Sequence, residues 1–159
     1  MRVGIGYDIH KFGSEPPLVL GGITFPSEPR LIGHSDGDAL FHAVADAVLG
    51  AAALGDIGEH FPDTDDRWED ADSAAILGEA LRLVREGRGL VPVNVDVNVI
   101  TQRPRLGARK QALRRRLAGV LDIAEDCVSI KARTHEGVGP IGRGEALEVE
   151  AIVLLQEVS

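Results

Sequence analysis

The first ten residues alternate with period two: Arg2-Val3-Gly4-Ile5-Gly6-Tyr7 reads as a strand, and Asp8-Ile9-His10 continues it. Gly13 to Pro17 carries turn residues, and Leu18 to Ile23 reads as a return strand. A period near 3.6 follows. Leu40, Val44, Ala47, Val48, Ala51 and Leu54 make the apolar stripe of a helix that Ser35 or Asp36 caps and Gly55 ends. Asp56 to Asp66 is a polar loop. Ser73 caps a second helix through Ile76, Leu77, Ala80, Leu81 and Val84, with Gly87 and Gly89 beyond its end.

Val91, Val93, Val95, Val97 and Val99 alternate along a strand that ends near Thr101, and Gln102 to Leu106 is a loop. A third helix over about Gly107 to Ala124 turns Leu113, Leu117, Val120 and Leu121 inward, with Arg109, Lys110 and Arg114 to Arg116 mostly outward. Val128, Ile130 and Ala132 alternate again. Thr134 to Glu145 is a glycine-rich loop, and Ala146 to Leu155 is the last strand. The order β-β-α-α-β-α-β-β predicts an α+β fold: one domain over 1–159, a mixed β-sheet with helices packed on one face.

Composition refines this picture only in part. The chain is 44% hydrophobic and 26% charged, as soluble globular domains are. A net charge of −8 argues against nucleic acid as a partner. From Val97 to Leu121, however, there are seven basic residues and no acidic one, either a solvated helix face or a field for an anionic ligand. The lone Cys127 has no disulfide partner and sits in a strand pattern, so it reads as a small buried hydrophobe. No signal-like segment and no membrane-length apolar run is visible, which leads us to expect a soluble protein of the cytoplasm.

The candidate chemistry concentrates between His34 and Asp66, where three of the five histidines lie among carboxylates. On a strand Asp8 and His10 share a face. Together with His42 on the first helix they offer one oxygen and two nitrogens, a catalytic-type zinc set with an open fourth position. Asp38 and Asp46, one helical turn either side of His42, are each placed to take its second ring proton. The spacing alone leaves an ordinary hydrogen-bonded histidine as the rival reading. Arg103 and Arg105, together with Lys131, Arg133 and Arg143 around the glycine-rich loop, suit phosphates, and the acidic loop suits a polyol. Neither a Walker sequence nor a Gly-x-Ser-x-Gly is present. The residues themselves therefore point to a metal-dependent enzyme acting on a phosphorylated small molecule.

Beyond that, Tyr-Asp-Ile-His at 7–10, His-Ser-Asp-Gly-Asp at 34–38, Gly-Asp-Ile-Gly at 55–58 and Phe-Pro-Asp-Thr-Asp at 61–65 resemble the 2-C-methyl-D-erythritol 2,4-cyclodiphosphate synthase family. So do Gln-x-Pro-Arg-Leu at 102–106 and Gly-Arg-Gly-Glu at 142–145. The resemblance implies cyclisation of 4-diphosphocytidyl-2-C-methyl-D-erythritol 2-phosphate with release of CMP, in non-mevalonate isoprenoid synthesis. It implies zinc on Asp8, His10 and His42, and on Glu136 a second cation, magnesium or manganese, bridging substrate phosphates.

The same resemblance implies transition-state contacts from His34 and Thr134. Ser35, Asp56, Ile57, Gly58 and Phe61, Pro62, Asp63, Thr64 and Asp65 correspond to the methylerythritol pocket. Thr101, Gln102, Arg103, Pro104, Arg105 and Leu106, with Ala132 and Arg133, correspond to the cytidine and phosphate pocket. It further implies a homotrimer with sites between subunits. Arg133 stands where the family commonly has a hydroxyl, and Pro140 where an aromatic often lines the cavity on the trimer axis; Arg143 is retained there.

Overall fold

The computed structural model describes residues 1–33, 35–62, 64–68 and 71–158. Four strands form the main sheet: β1 (Arg2–Lys11), β4 (Leu90–Ile100), β5 (Val128–Arg133) and β6 (Ala146–Glu157). Their order is β1-β6-β4-β5, with β4 and β5 parallel and the other pairs antiparallel, so the predicted mixed sheet is present. Helices α1 (Ala39–Ala51), α3 (Ser73–Arg88) and α4 (Lys110–Leu121) cover one face. The opposite face is bare, leaving Val3, Ile5, Tyr7, Ile9 and Ile152 exposed.

Two glycines set the distance between sheet and helix. A Cβ on Gly4 would lie 2.0 Å from the Ala47 carbonyl oxygen, and one on Gly6 would lie 1.9 Å from that of Ala43. No side chain fits there, so α1 rests backbone to backbone on β1. The helix is otherwise enclosed: all its residues except Asp46 and Gly50 are buried. Small alanines on its several faces allow the sheet on one side and α3 on another to approach. Asp8 and His10 continue the Gly4–Gly6 face by period two, which brings them beside the first turns of α1.

Several boundaries differ from those expected. The predicted return strand is two short strands, β2 (Leu18–Leu20) and β3 (Ile23–Phe25), paired with each other around Gly21 and Gly22 rather than with β1. Both glycines have positive φ, a turn conformation that costs glycine little. Asp38, not Ser35 or Asp36, caps α1. Its fully buried carboxylate accepts the N–H groups of Leu40 and Phe41, and those of Gly21 and Gly22 at 2.8 and 2.7 Å.

Asp72, not Ser73, caps α3, which runs through Gly87 to a left-handed Gly89. The third helix begins with a 3-10 turn at Gly107–Arg109 and stops at Leu121, where Asp122 takes a left-handed conformation. Arg114 folds back onto the carbonyls of Glu125 and Val128 instead of pointing outward. Cys127 is half-buried in a 3-10 turn just before β5, not inside the strand. The polar loop contains a one-turn helix, α2 (Ile57–His60), and the glycine-rich loop contains another, α5 (Gly139–Gly142).

The close contact gives a direct test. Gly6→Ala is expected to lower Tm by about 5–10 °C through overpacking against the Ala43 carbonyl. Gly78→Ala, in the exposed interior of α3 with open space around its Cβ, is expected to be neutral or to stabilise by up to about 1 kcal/mol. Thermal unfolding of both variants checks the contrast.

Candidate active site

The end of β1 and the start of α1 form one wall of a cleft of about 350 Å³. Asp8 Oδ2 lies 2.9 Å from His10 Nε2 and 3.2 Å from His42 Nδ1. The three residues offer ligand atoms all within 4.8 Å of one another, and the two imidazole centroids are 5.5 Å apart. Side-chain exposure is low, 21% for Asp8, 15% for His10 and 10% for His42, so water screens the group poorly.

The outer nitrogens decide what the inner ones can do. His10 Nδ1 is 2.7 Å from the Ile32 carbonyl oxygen, which can only accept, so the proton sits on Nδ1 and the Nε2 lone pair faces Asp8. His42 Nε2 is 2.9 Å from Ser73 Oγ and 3.0 Å from Ser35 Oγ. Neither Asp38 nor Asp46 takes the second ring proton of His42, contrary to expectation. Asp38 is spent on the cap described above, and Asp46 accepts the Ile57 N–H at 3.0 Å, tying α2 to α1. With its proton on Nε2, His42 also turns a lone pair toward Asp8. Two imidazole nitrogens and a carboxylate oxygen thus converge on one point, which suits a divalent cation; the residues fit a zinc-type site.

Without a cation, protons take that role. Burial pushes the Asp8 pKa up, but hydrogen bonds from His10 and His42 outweigh it and hold the carboxyl at about 2. Burial pulls His10 down, and its hydrogen bond and attraction to Asp8 raise it above its ordinary value. At Asp38 and Asp46 burial dominates and both are raised.

The rest of the cleft is built by the acidic loop. Ile57, Gly58, Phe61, Pro62 and Asp65 line it with Ser35. Asp56, next to them in the chain, caps α2 by accepting the Glu59 N–H at 3.0 Å, and Thr64 is exposed. Gly33, Trp68 and Ile76 also line the cleft and were not foreseen. Trp68 packs edge-on against Phe61 at 4.8 Å; its being the only tryptophan, in a polar stretch, was the available signal. His60, whose Nε2 donates to the Leu54 carbonyl at 2.7 Å, is structural. His34 and Asp63 lie outside the described residues.

The expected nucleotide residues gather elsewhere. Thr101 to Leu106 follow the C-terminal end of β4, and Ala132 to Glu136 span the end of β5 and the residues after it, the two strands being paired in parallel. The two loops are bound together: Thr101 N–H donates to the Arg133 carbonyl at 2.9 Å, and His135 N–H to Gln102 Oε1 at 3.2 Å. Thr101 and Leu106 are buried, while Arg103 lays its guanidinium over the Phe12 ring at 5.3 Å and Arg105 is exposed. Thr134 Oγ1 donates to Glu136 Oε1 at 3.1 Å, and Glu136 holds a left-handed φ of 49°. Arg143 pairs with Glu145 at 2.6 Å.

This second group shares the sheet end with Asp8 and His10 but not the edge. Three strand steps of about 4.8 Å separate β1 from β5, roughly 14 Å. Glu136 is accordingly not part of the Asp8–His10–His42 group.

The charged pair at Asp8 and His10 makes the metal-free protein pH-sensitive. The depressed Asp8 contributes stability that is full above its ordinary 3.8 and lost as pH falls toward about 2. The raised His10 contributes stability that is full below its ordinary 6.5 and lost as pH rises through its folded value. Metal-stripped protein is therefore expected to melt about 2–4 °C higher near about pH 5 than near about pH 8, and Asp8→Asn to flatten this difference. Calorimetry at the two pH values checks it.

Comparison with known proteins agrees with this geometry. The YgbB family model matches residues 1–156. The 2-C-methyl-D-erythritol 2,4-cyclodiphosphate synthase of Dechloromonas aromatica (strain RCB) is 50% identical over 157 residues, covering 99% of this chain and 98% of its own. A synthase of the same name solved in a CDP-bound form superposes with a TM-score of 0.89 at 39% identity, over 98% of this chain and 100% of that one. The IspF–CDP complex of Plasmodium falciparum does so with a TM-score of 0.84 at 37% identity, over 99% and 97%. The chain belongs to the YgbB family, among its 2-C-methyl-D-erythritol 2,4-cyclodiphosphate synthases, the metal-dependent lyases of the non-mevalonate isoprenoid route.

Proposed function

We propose that the Asp8–His10–His42 cleft and the Thr101–Glu136 platform are the two halves of a cyclisation site for 4-diphosphocytidyl-2-C-methyl-D-erythritol 2-phosphate. An oxygen of the 2-phosphate attacks the β-phosphorus, the bond from that phosphorus to the bridging oxygen breaks, and CMP leaves with the bridging oxygen. The product is 2-C-methyl-D-erythritol 2,4-cyclodiphosphate. The nucleophile belongs to the substrate, which accords with a cleft with no Cys among its described lining residues, where Ser35 meets His42 through Nε2, the nitrogen that already carries the ring proton and so cannot take the serine's.

What remains for the protein is positioning and charge. Asp8, His10 and His42 would hold zinc, and Glu136 a second cation, magnesium or manganese. When bound, these ions withdraw charge from the phosphoryl oxygens. Ile57 and Gly58 offer backbone, and Phe61 and Trp68 an apolar wall, to a methylated polyol. Ser35, Asp56, Pro62, Asp63, Thr64 and Asp65 complete that pocket. Thr101 to Leu106 with Ala132 and Arg133 take the cytidine and its phosphates, and His34 and Thr134 contact the reacting phosphates. Arg133, longer and charged, adds a cation to the nucleotide side.

The separation of the two halves supports a homotrimer in which the β1 edge of one copy meets the β5 edge of the next. The bare sheet face supports the same reading, since Val3, Ile5, Tyr7 and Ile9 form an apolar stripe that a partner would cover. On that face Asp96 Oδ1 and Asn98 Oδ1 are buried without a hydrogen-bond partner among the described residues. We place the activity in the cytoplasm, where a lone thiol such as Cys127 stays reduced.

The observation that carries the reading is the convergence of three metal-ligating atoms in a polyol-sized cleft, in a chain of this family. The test is turnover in oxygen-labelled water. Expected are CMP and cyclic product without solvent oxygen, and a loss of at least about 1,000-fold in kcat for folded His42→Ala. Labelled, ring-opened phosphates would identify a metal phosphohydrolase instead. A sedimentation mass of one chain at assay concentration would contradict the shared site.

A further inference from the structure

Behind His42, away from the cleft, lies a chain of buried polar groups that the reaction as described does not use. Ser73 is fully buried, at 0% exposure, and is not among the residues lining the cleft. Its Oγ lies 2.9 Å from His42 Nε2 and donates to the Asp36 carboxylate. Asp36 also accepts the Ser73 N–H at 3.1 Å through Oδ2 and the Asp38 N–H at 3.0 Å through Oδ1.

A serine hydroxyl has one proton. Because that proton goes to Asp36, Ser73 can present only a lone pair to His42, and His42 must carry its proton on Nε2. The Nδ1 lone pair is thereby fixed toward Asp8. Ser35 also approaches Nε2, at 3.0 Å, but its hydroxyl lines the cleft and is open to substrate. Ser73 is closed off from the cleft, and its Oγ lies 3.3 Å behind that of Ser35.

We infer that Ser73 and Asp36 are positioning residues for the metal site: Asp36 orients the Ser73 hydroxyl, and that hydroxyl fixes the ring angle and tautomer of His42. The inference rests on the reading of Asp8, His10 and His42 as a divalent-cation site. It extends the centre inward from the cleft wall. The same carboxylate joins the metal ligand to the first residue of α3, so the segment entering α3, whose Ala71 carbonyl accepts the Asp36 N–H at 3.4 Å, is held to the metal site by one side chain. A plain capping role for Ser73 would not need this chain, since Asp72 already caps α3.

The test is zinc affinity of the full-length chain, measured after stripping by competition with a chromophoric chelator, with cobalt(II) spectra and circular dichroism alongside. The parent is expected to bind one zinc per chain. Ser73→Ala is expected to keep its fold and lose about 10–100-fold in zinc affinity, with an altered cobalt spectrum. Ser73→Thr, which retains the hydroxyl, is expected to recover most of that loss. Asp36→Asn is expected to weaken zinc as well, because one amide oxygen cannot accept both Ser73 donors. Folded Ser73→Ala binding zinc within about twofold of the parent would overturn the relay while leaving the metal site standing. If Ser73→Ala does not fold, unchanged affinity in Asp36→Asn overturns it equally. A parent chain that binds no zinc would overturn the metal reading and the relay together.

Discussion

The backbone contact between β1 and α1 is the constraint on which the site depends. Gly4 and Gly6 leave no side chain between strand and helix, so the carbonyls of Ala43 and Ala47 reach the strand directly. Period two then carries the same face on to Asp8 and His10, while the helix, held at that height, delivers His42 one residue before Ala43. Metal-ligating geometry tolerates errors of only a few tenths of an ångström. A longer residue at either glycine would lift the helix and separate the donors. The same contact explains why α1 is almost wholly buried and alanine-rich.

Carboxylates near this contact divide the structural labour. Asp38 closes the end of α1 and clamps the Gly21–Gly22 turn. Asp46 holds α2, and Asp56 caps it, which sets the floor of the cleft. Asp36 ties the turn before α1 to α3. Asp8 faces the two imidazoles. Of these acids Asp38 is the fully buried one, and its removal would strand the N–H groups of Gly21, Leu40 and Phe41, which water cannot reach.

Period and turn chemistry made most of the fold legible. The alternating valines gave β4, the Leu113–Leu117–Leu121 stripe gave α4, and the strand-rich ends gave a mixed sheet covered on one face. Where reading failed, local acids competed for one role. Ser35, Asp36 and Asp38 all suit a helix cap by type, and only the tertiary approach of the Gly21–Gly22 turn selects Asp38. For the same reason Asp38 and Asp46 looked like partners for His42, whereas Ser73, distant in sequence, holds its Nε2. The metal set was legible because a strand's period and a helix's first turn are local. The separation of the nucleotide loops from it was not, since strand order depends on non-local pairing.

The measurement closest to the central claim is anomalous diffraction at the zinc edge from crystals of the metal-loaded chain. The peak is expected between β1 and α1, about 2.0–2.1 Å from His10 Nε2 and His42 Nδ1 and at similar distance from an Asp8 oxygen. His42 Nε2 should still face Ser73. A peak elsewhere, or ligation through the opposite nitrogen of either ring, would contradict it.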